Sequence, residues 1–369
     1  MECYDLVVKM TDTQGLHARL TRSKAIIISF ESYRGGVGKT TAAYNVGALM
    51  AASGSRVLLV DLDLERHGLT SLVEANAAHA GRTFWWGGTP VELPDGAKIW
   101  NQGTVVQLLM EYHSGDKFTA TALPENTYKW EPPTDFIAPD SKGTMNILPV
   151  TTQSSYAPHQ RNLEELAHLQ RLDEKFLEGG MGRLAKDLRE ALTQLPYDYV
   201  ILDYSHGHII GPEVASNIAD HVVLFSGLSD QHISGTAGKV YTTLTILRER
   251  ETTEGKGNNG RKIIPVLGIV PPYNCAERQQ RVSQLDDRIV AVTGGSPDFP
   301  RVFSGAEVLE YDPAVALGTI RLAVADSYCM NMPLARGYRA LHERIVRECG
   351  NEAMTDRAGE LTGGITSPR

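Results

Sequence analysis

The feature that most constrains this chain is the run AIIISFESYRGGVGKTTAAYNVGALMAASG, residues 25–54. Its β-branched opening, Ala25 to Phe30, predicts a buried parallel strand. From Thr41 to Ser53 the apolar residues Ala42, Val46, Leu49 and Met50 recur at helical spacing, and Gly54 stops the helix. A strand that passes through glycines into a helix N-terminus makes an anion cradle. Backbone lacking Cβ atoms approaches a phosphate closely, and the unpaired N–H groups of the first helical turn point at it. The pattern predicts that Gly35, Gly36, Val37, Gly38 and Thr41 wrap a nucleotide's phosphates, that Lys39 reaches the β- and γ-phosphates, and that the Thr40 hydroxyl ligates Mg²⁺. The general pattern asks for glycine where Tyr33 stands, and a second cation, Arg34, precedes the lysine.

The rest of the chain repeats strand and helix. Arg56 to Leu62 (RVLLVDL) reads as a second buried strand with Asp61 and Asp63 at its carboxyl end, where open α/β sheets place their chemistry. Further strands are expected at Met145 to Val150, Tyr199 to Asp203, His221 to Ser226 and Ile263 to Val270. Helices are expected at Gly182 to Leu195, Ile233 to Arg250 and Leu334 to Glu348, the last with Leu334, Tyr338, Leu341 and Ile345 on one face. The fold class is therefore α/β, a mainly parallel P-loop sheet with helices on both faces.

One domain, residues 25–349, is expected between an N-terminal extension, 1–24, and a polar, frayed tail, 350–369. It carries an insertion at 76–142, where six of the 18 prolines and all four tryptophans (Trp85, Trp86, Trp100, Trp130) fall. Those rings either form a docking surface for a protein partner or pack on their own subdomain.

Composition narrows the function. Hydrophobic content of 42% and charged content of 22% are ordinary for a globular core. The net charge of −8 disfavours a strongly basic nucleic-acid binder. Cys3, Cys275, Cys329 and Cys349 form no C-x-x-C pair, so a reducing cytoplasm is expected rather than a disulfide framework or zinc ribbon. No apolar run is long enough to span a bilayer.

The loop SYRGGVGKT resembles the deviant x-K-G-G-x-G-K-[ST] loop of the ParA/MinD family of ATPases, with Arg34 at that family's additional lysine. Thr40 to Thr70, TTAAYNVGALMAASGSRVLLVDLDLERHGLT, resembles the family's helix, second strand and D-x-D switch. YDYVILDYSHG, Tyr197 to Gly207, resembles its Walker B strand and second switch, and EVLEYDPAVA, Glu307 to Ala316, its C-terminal end. The chain is most similar to a bacterial subgroup bearing S-Y-K-G-G-x-G-R-[ST] and D-L-D-L-E-x-x-G-L, some of whose members accompany conflict or defence genes.

The resemblance implies a slow Mg-ATP hydrolase working as a switch, in which an ATP-sandwich homodimer engages a protein partner and hydrolysis resets it. It implies that Arg34 crosses to the partner subunit's phosphates; the alternative is that Arg34 caps a local carboxylate such as Glu31. Asp63 would orient the attacking water or else cap a helix, Asp61 would lie near the metal, Asp203 would hold Mg²⁺ through water, and the Gly207 N–H would meet the γ-phosphate. Tyr204 and His206 stand where the family has a small residue and proline. His206 and His208 alone are weak evidence for a metal. Three rival readings are a partition ATPase gripping nonspecific DNA through Arg336, Arg339, Arg344 and Arg347, which the acidic balance disfavours, a metabolic ligase or amidase sharing the loop, for which no second substrate motif stands in the sequence, and a nucleotide-holding scaffold with little hydrolysis.

Overall fold

Strand β1, Ile26–Ser32, sits at the middle of the molecule because both of its faces are apolar and covered: Ile28 and Phe30 enter one core cluster and Ile27 the opposite one. Each such side chain, fully buried, contributes about 1.5–3 kcal/mol. The computed structural model describes residues 24–64, 68–72, 90–92, 98–100, 105, 108–109, 112, 127–130, 136, 141–150, 181–204, 210–254, 262–271, 275–295, 301–313, 324 and 332–362. Residues 1–23 of the expected N-terminal extension, Trp85, Trp86, Ser205, His206, Gly207 and His208 lie outside the described residues.

β1 pairs in parallel with β7 (Tyr199–Asp203) on one side and β8 (His221–Ser226) on the other. Beyond β7 follow β2 (Arg56–Asp61), β6 (Thr144–Leu148) and the short β5 (Tyr128–Lys129); beyond β8 follow β9 (Ile263–Val270) and β10 (Glu307–Glu310). Every pairing in this eight-stranded sheet is parallel except the β5 edge, which runs antiparallel to β6. Within the expected insertion, β3 (Pro90–Glu92) and β4 (Lys98–Trp100) form a separate antiparallel ribbon.

Helices cover both faces. α1 (Lys39–Ala52) is buried over most of its length, between the sheet and α6 (Pro333–Thr362), whose Leu334, Tyr338, Leu341 and Ile345 join the same cluster. On the opposite face lie α2 (Met181–Gln194) and α3 (Ile210–Ile218), then α4 (Asp230–Glu254) and α5 (Cys275–Val292). Among the described residues no helix is long and apolar enough to cross a membrane.

Two expectations change. The segment after Gly350, expected to fray, continues α6 to Thr362, in keeping with its good helix formers Glu352, Ala353, Met354, Arg357 and Ala358. Trp130 belongs to the core rather than to a docking surface. Its indole N–H donates to the Tyr44 hydroxyl at 2.9 Å, and its ring meets Tyr44 and Phe136 edge to face, with centroids 6.3 and 6.0 Å apart.

Candidate phosphate-binding site

The loop between β1 and α1 turns on two glycines, Gly36 at φ 80° and Gly38 at φ 82°, conformations that a Cβ would strain. Gly38 is the N-cap of α1, with no side-chain cap and no acidic residue in the first turn. The helix's first N–H groups, which ordinarily require a cap, therefore offer themselves to an anion. Lys39 is buried beneath this loop, its Nζ donating to the Ser32 hydroxyl at 2.8 Å, and Ser32 in turn donates to the Arg34 carbonyl at 2.5 Å.

Register brings the acids beside it. β2 and β7 pair Asp61 with Asp203 at their carboxyl ends. Asp203 is 1% exposed, and among the described residues neither of its oxygens has a well-formed hydrogen bond. Burial pushes its pKa up to about 6; the Lys39 charge and the nearby Thr40 hydroxyl oppose that rise, and Asp63 adds to it. Asp61, wholly buried, is pushed up to about 8 by burial and by the charge of Asp203, against the pull of its donors. Those donors are the Asp63 amide on Oδ1 at 3.0 Å and the Thr70 amide and hydroxyl on Oδ2 at 2.8 and 2.7 Å. A Cβ built on Gly68 would stand 3.4 Å from Thr40 Oγ1 and 3.8 Å from Asp63 Oδ2, so the hydroxyl and the carboxylate face the same small space.

The structure thus gathers Lys39, Thr40, Asp61, Asp63 and Asp203 under one glycine loop. For Mg²⁺ the fit is good at two of them: a buried carboxylate with uncommitted oxygens next to a hydroxyl is the hard donor set that this ion takes together with water and phosphate. Among the described residues no cluster of three His, Cys, Asp or Glu side chains stands ready for a metal by itself. Asp61 stands opposite Asp203 in the register, and its oxygens accept hydrogen bonds from Asp63 and Thr70.

Arg34 is exposed and donates to the Gln231 side chain. It does not cap Glu31. Glu31 is fully buried, ion-paired with Lys239 at 2.8 Å, and accepts the Ser29 and Ser216 hydroxyls at 3.0 Å each. Tyr204, 1% exposed, lies in the same network: burial first, then the Glu31 charge, raises its pKa well above the ordinary phenol value. Sequence reasoning passed over Ser32, Thr70, Gln231 and Lys239. Thr70 ends the switch-like segment DLDLERHGLT, but no local pattern marks the other three.

The sheet order, the uncapped helix terminus and the loop define a P-loop fold similar to that of the ParA/MinD ATPases. Residues 25–85 match the model of a family described as an AAA domain. The chain is 45% identical over 53 residues to the chromosome-partitioning ATPase Soj of Thermus thermophilus, covering 14% of this chain and 21% of Soj. It is 48% identical over 46 residues to the sporulation initiation inhibitor protein Soj of Bacillus subtilis, covering 12% and 18%. The chain thus spans about a fifth of the length of these curated relatives. A solved ATP complex of McdA from Cyanothece shares the fold, with a TM-score of 0.51 at 14% identity over 89% of this chain and 98% of that one.

Proposed function

We propose that this chain is a Mg-ATP-dependent molecular switch in the cytoplasm, a slow ATP hydrolase that closes as an ATP-sandwich homodimer and reopens on hydrolysis. The observation that carries the reading is Asp203, a buried carboxylate with no well-formed hydrogen bond among the described residues, beside Lys39 and Thr40 at the foot of an open helix terminus. Burying such a group costs free energy unless a ligand completes it.

In this reading Lys39 leaves Ser32 for the β- and γ-phosphates, and the backbone of Gly35 to Thr41 cradles them. Thr40, and Asp203 through water, would hold Mg²⁺, which supplies positive charge against the phosphate oxygens. Asp63 orients the attacking water. Asp61 fixes the loop that carries Asp63 through its bonds to the Asp63 amide and to Thr70. The Gly207 N–H is assigned to the γ-phosphate. Arg34, exposed at the loop's mouth, reaches the partner subunit's phosphates, where its planar fork offers bidentate bonds. The triphosphate-bound dimer is the form that engages a protein partner.

The DNA-binding reading gains nothing from α6, where Arg344 is committed to the Gly305 carbonyl and to Glu307. The test is mass in solution and ATP turnover with Mg²⁺ and ADP, ATP or a non-hydrolysable ATP. A dimer specific to the triphosphate, lost in Arg34→Ala, and loss of nucleotide binding in Lys39→Ala are expected. Unchanged ATP affinity in Lys39→Ala would overturn the phosphate-loop assignment.

A further inference from the structure

Three of the four residues that lead into the phosphate loop, Glu31, Tyr33 and Arg34, each rest on a different turn of one helix. Glu31 pairs with Lys239 at 2.8 Å, Tyr33 lies against Gly235, and Arg34 donates to Gln231. Positions 231, 235 and 239 are spaced by four and form a single stripe along α4. The fit at the middle turn is tight: a Cβ built on Gly235 would stand 2.0 Å from two carbons of the Tyr33 ring, well within contact distance. Tyr33 is 44% exposed, and the backbone of α4 at Gly235 walls one side of its ring. The two residues after Arg34 are glycines, which give it little backbone restraint of their own.

We propose that the Gln231–Gly235–Lys239 stripe of α4 is the positioning element for Arg34. Lys239 anchors the end of β1, Gly235 seats Tyr33, and Gln231 holds the guanidinium at the mouth of the loop, aimed at the triphosphate of a second copy of this chain. The inference rests on the role of Arg34 proposed above and adds what sets its direction. It also gives Tyr33, at a position where phosphate loops generally carry glycine, a purpose and a matching residue.

The experiment uses the full chain and measures triphosphate-specific dimerisation, kcat and KM for ATP in Gly235→Ala, Tyr33→Ala, the double variant and Arg34→Ala. Alanine in a helix is ordinarily more favourable than glycine, by roughly 1 kcal/mol, so any loss of function is not a helix-propensity effect. Gly235→Ala should lower kcat about tenfold and weaken the dimer, with KM changed by less than about threefold, because a small misplacement of a charge-stabilising group costs rate rather than binding. In the Tyr33→Ala background the same substitution should cost nothing further, since its methyl group then meets no ring. Equal losses in both backgrounds, or wild-type kcat and dimer in Gly235→Ala, would overturn the inference. If Gly235→Ala does not fold, Gln231→Ala decides: its kcat should fall several-fold, and it should add nothing to Arg34→Ala; additive losses, or none in either background, overturn the inference. Wild-type behaviour of Arg34→Ala would remove the trans role and this inference together, whereas a defective Arg34→Ala beside a normal Gly235→Ala removes this inference alone.

Discussion

The Thr70 amide and hydroxyl both end on Oδ2 of Asp61, at 2.8 and 2.7 Å, and the same hydroxyl accepts the Val150 amide at 3.3 Å. One side chain thereby ties the ends of β2 and β6 to the start of the segment following Asp63. Thr70→Val keeps the shape and removes the hydroxyl. It should destabilise the fold by about 1–3 kcal/mol, the cost of leaving buried partners unmatched. It should also slow hydrolysis more than it weakens ATP binding, because Asp63 loses its fixed neighbour. Equal effects on kcat and KM would argue against a role for this tie in placing Asp63.

Asp203 presents a trade between stability and function. Its folded pKa of about 6 lies above the unfolded value, so the folded state binds the proton more tightly and the penalty for the buried charge appears as pH rises through 4 to 6. Asp203→Asn should therefore stabilise the nucleotide-free protein at pH 8 by up to about 3 kcal/mol, seen as a raised thermal midpoint, with the gain shrinking toward pH 4. The same variant should lose Mg²⁺-dependent ATP affinity by tenfold or more. Melting curves at both pH values and ATP titrations with and without Mg²⁺ check the two halves separately.

Asp63→Ala should accumulate triphosphate-bound dimer and lower turnover by about 100-fold, since water orientation is lost while the cradle stays intact. Single-turnover hydrolysis followed alongside mass in solution is the check. A wild-type rate would take Asp63 out of the chemistry and leave it the helix-capping role.

Away from the site, Asp220 accepts the Ile27 amide at 2.9 Å and Arg189 at 2.6 Å, joining the start of β1 to α2. Burial by itself raises its pKa, but the Arg189 charge, the Ile27 amide and the bond to Arg189 outweigh it, and the net shift is downward. A lowered carboxyl pKa stabilises the fold above the unfolded value and is lost as pH falls through the folded one. Asp220→Asn should cost about 1–3 kcal/mol at pH 7, and the gap to wild type should narrow below about pH 4. Thermal melts across that range test it, and a gap that widens in acid would contradict the assignment.

What the sequence determined by itself was the local grammar: β1, β8 and β9 as apolar runs of the right length, the glycine turn into α1, and acids at the ends of β2 and β7. These are legible because burial on both strand faces and phosphate-loop geometry depend on residues adjacent in the chain. The expected ends of the last helix fell short, since α6 continues through Gly350 on its own helix formers. Tertiary structure decided the partners. Arg34 meets Gln231 from 197 positions away, Glu31 meets Ser216 from 185, and Trp130 gives its N–H to Tyr44 from 86. It also gave Asp61 a partner in Thr70, nine positions further along the chain. No periodicity carries such information, because which buried charge finds which donor is set only when strands and helices from distant parts of the chain pack together and each polar group must be satisfied in place.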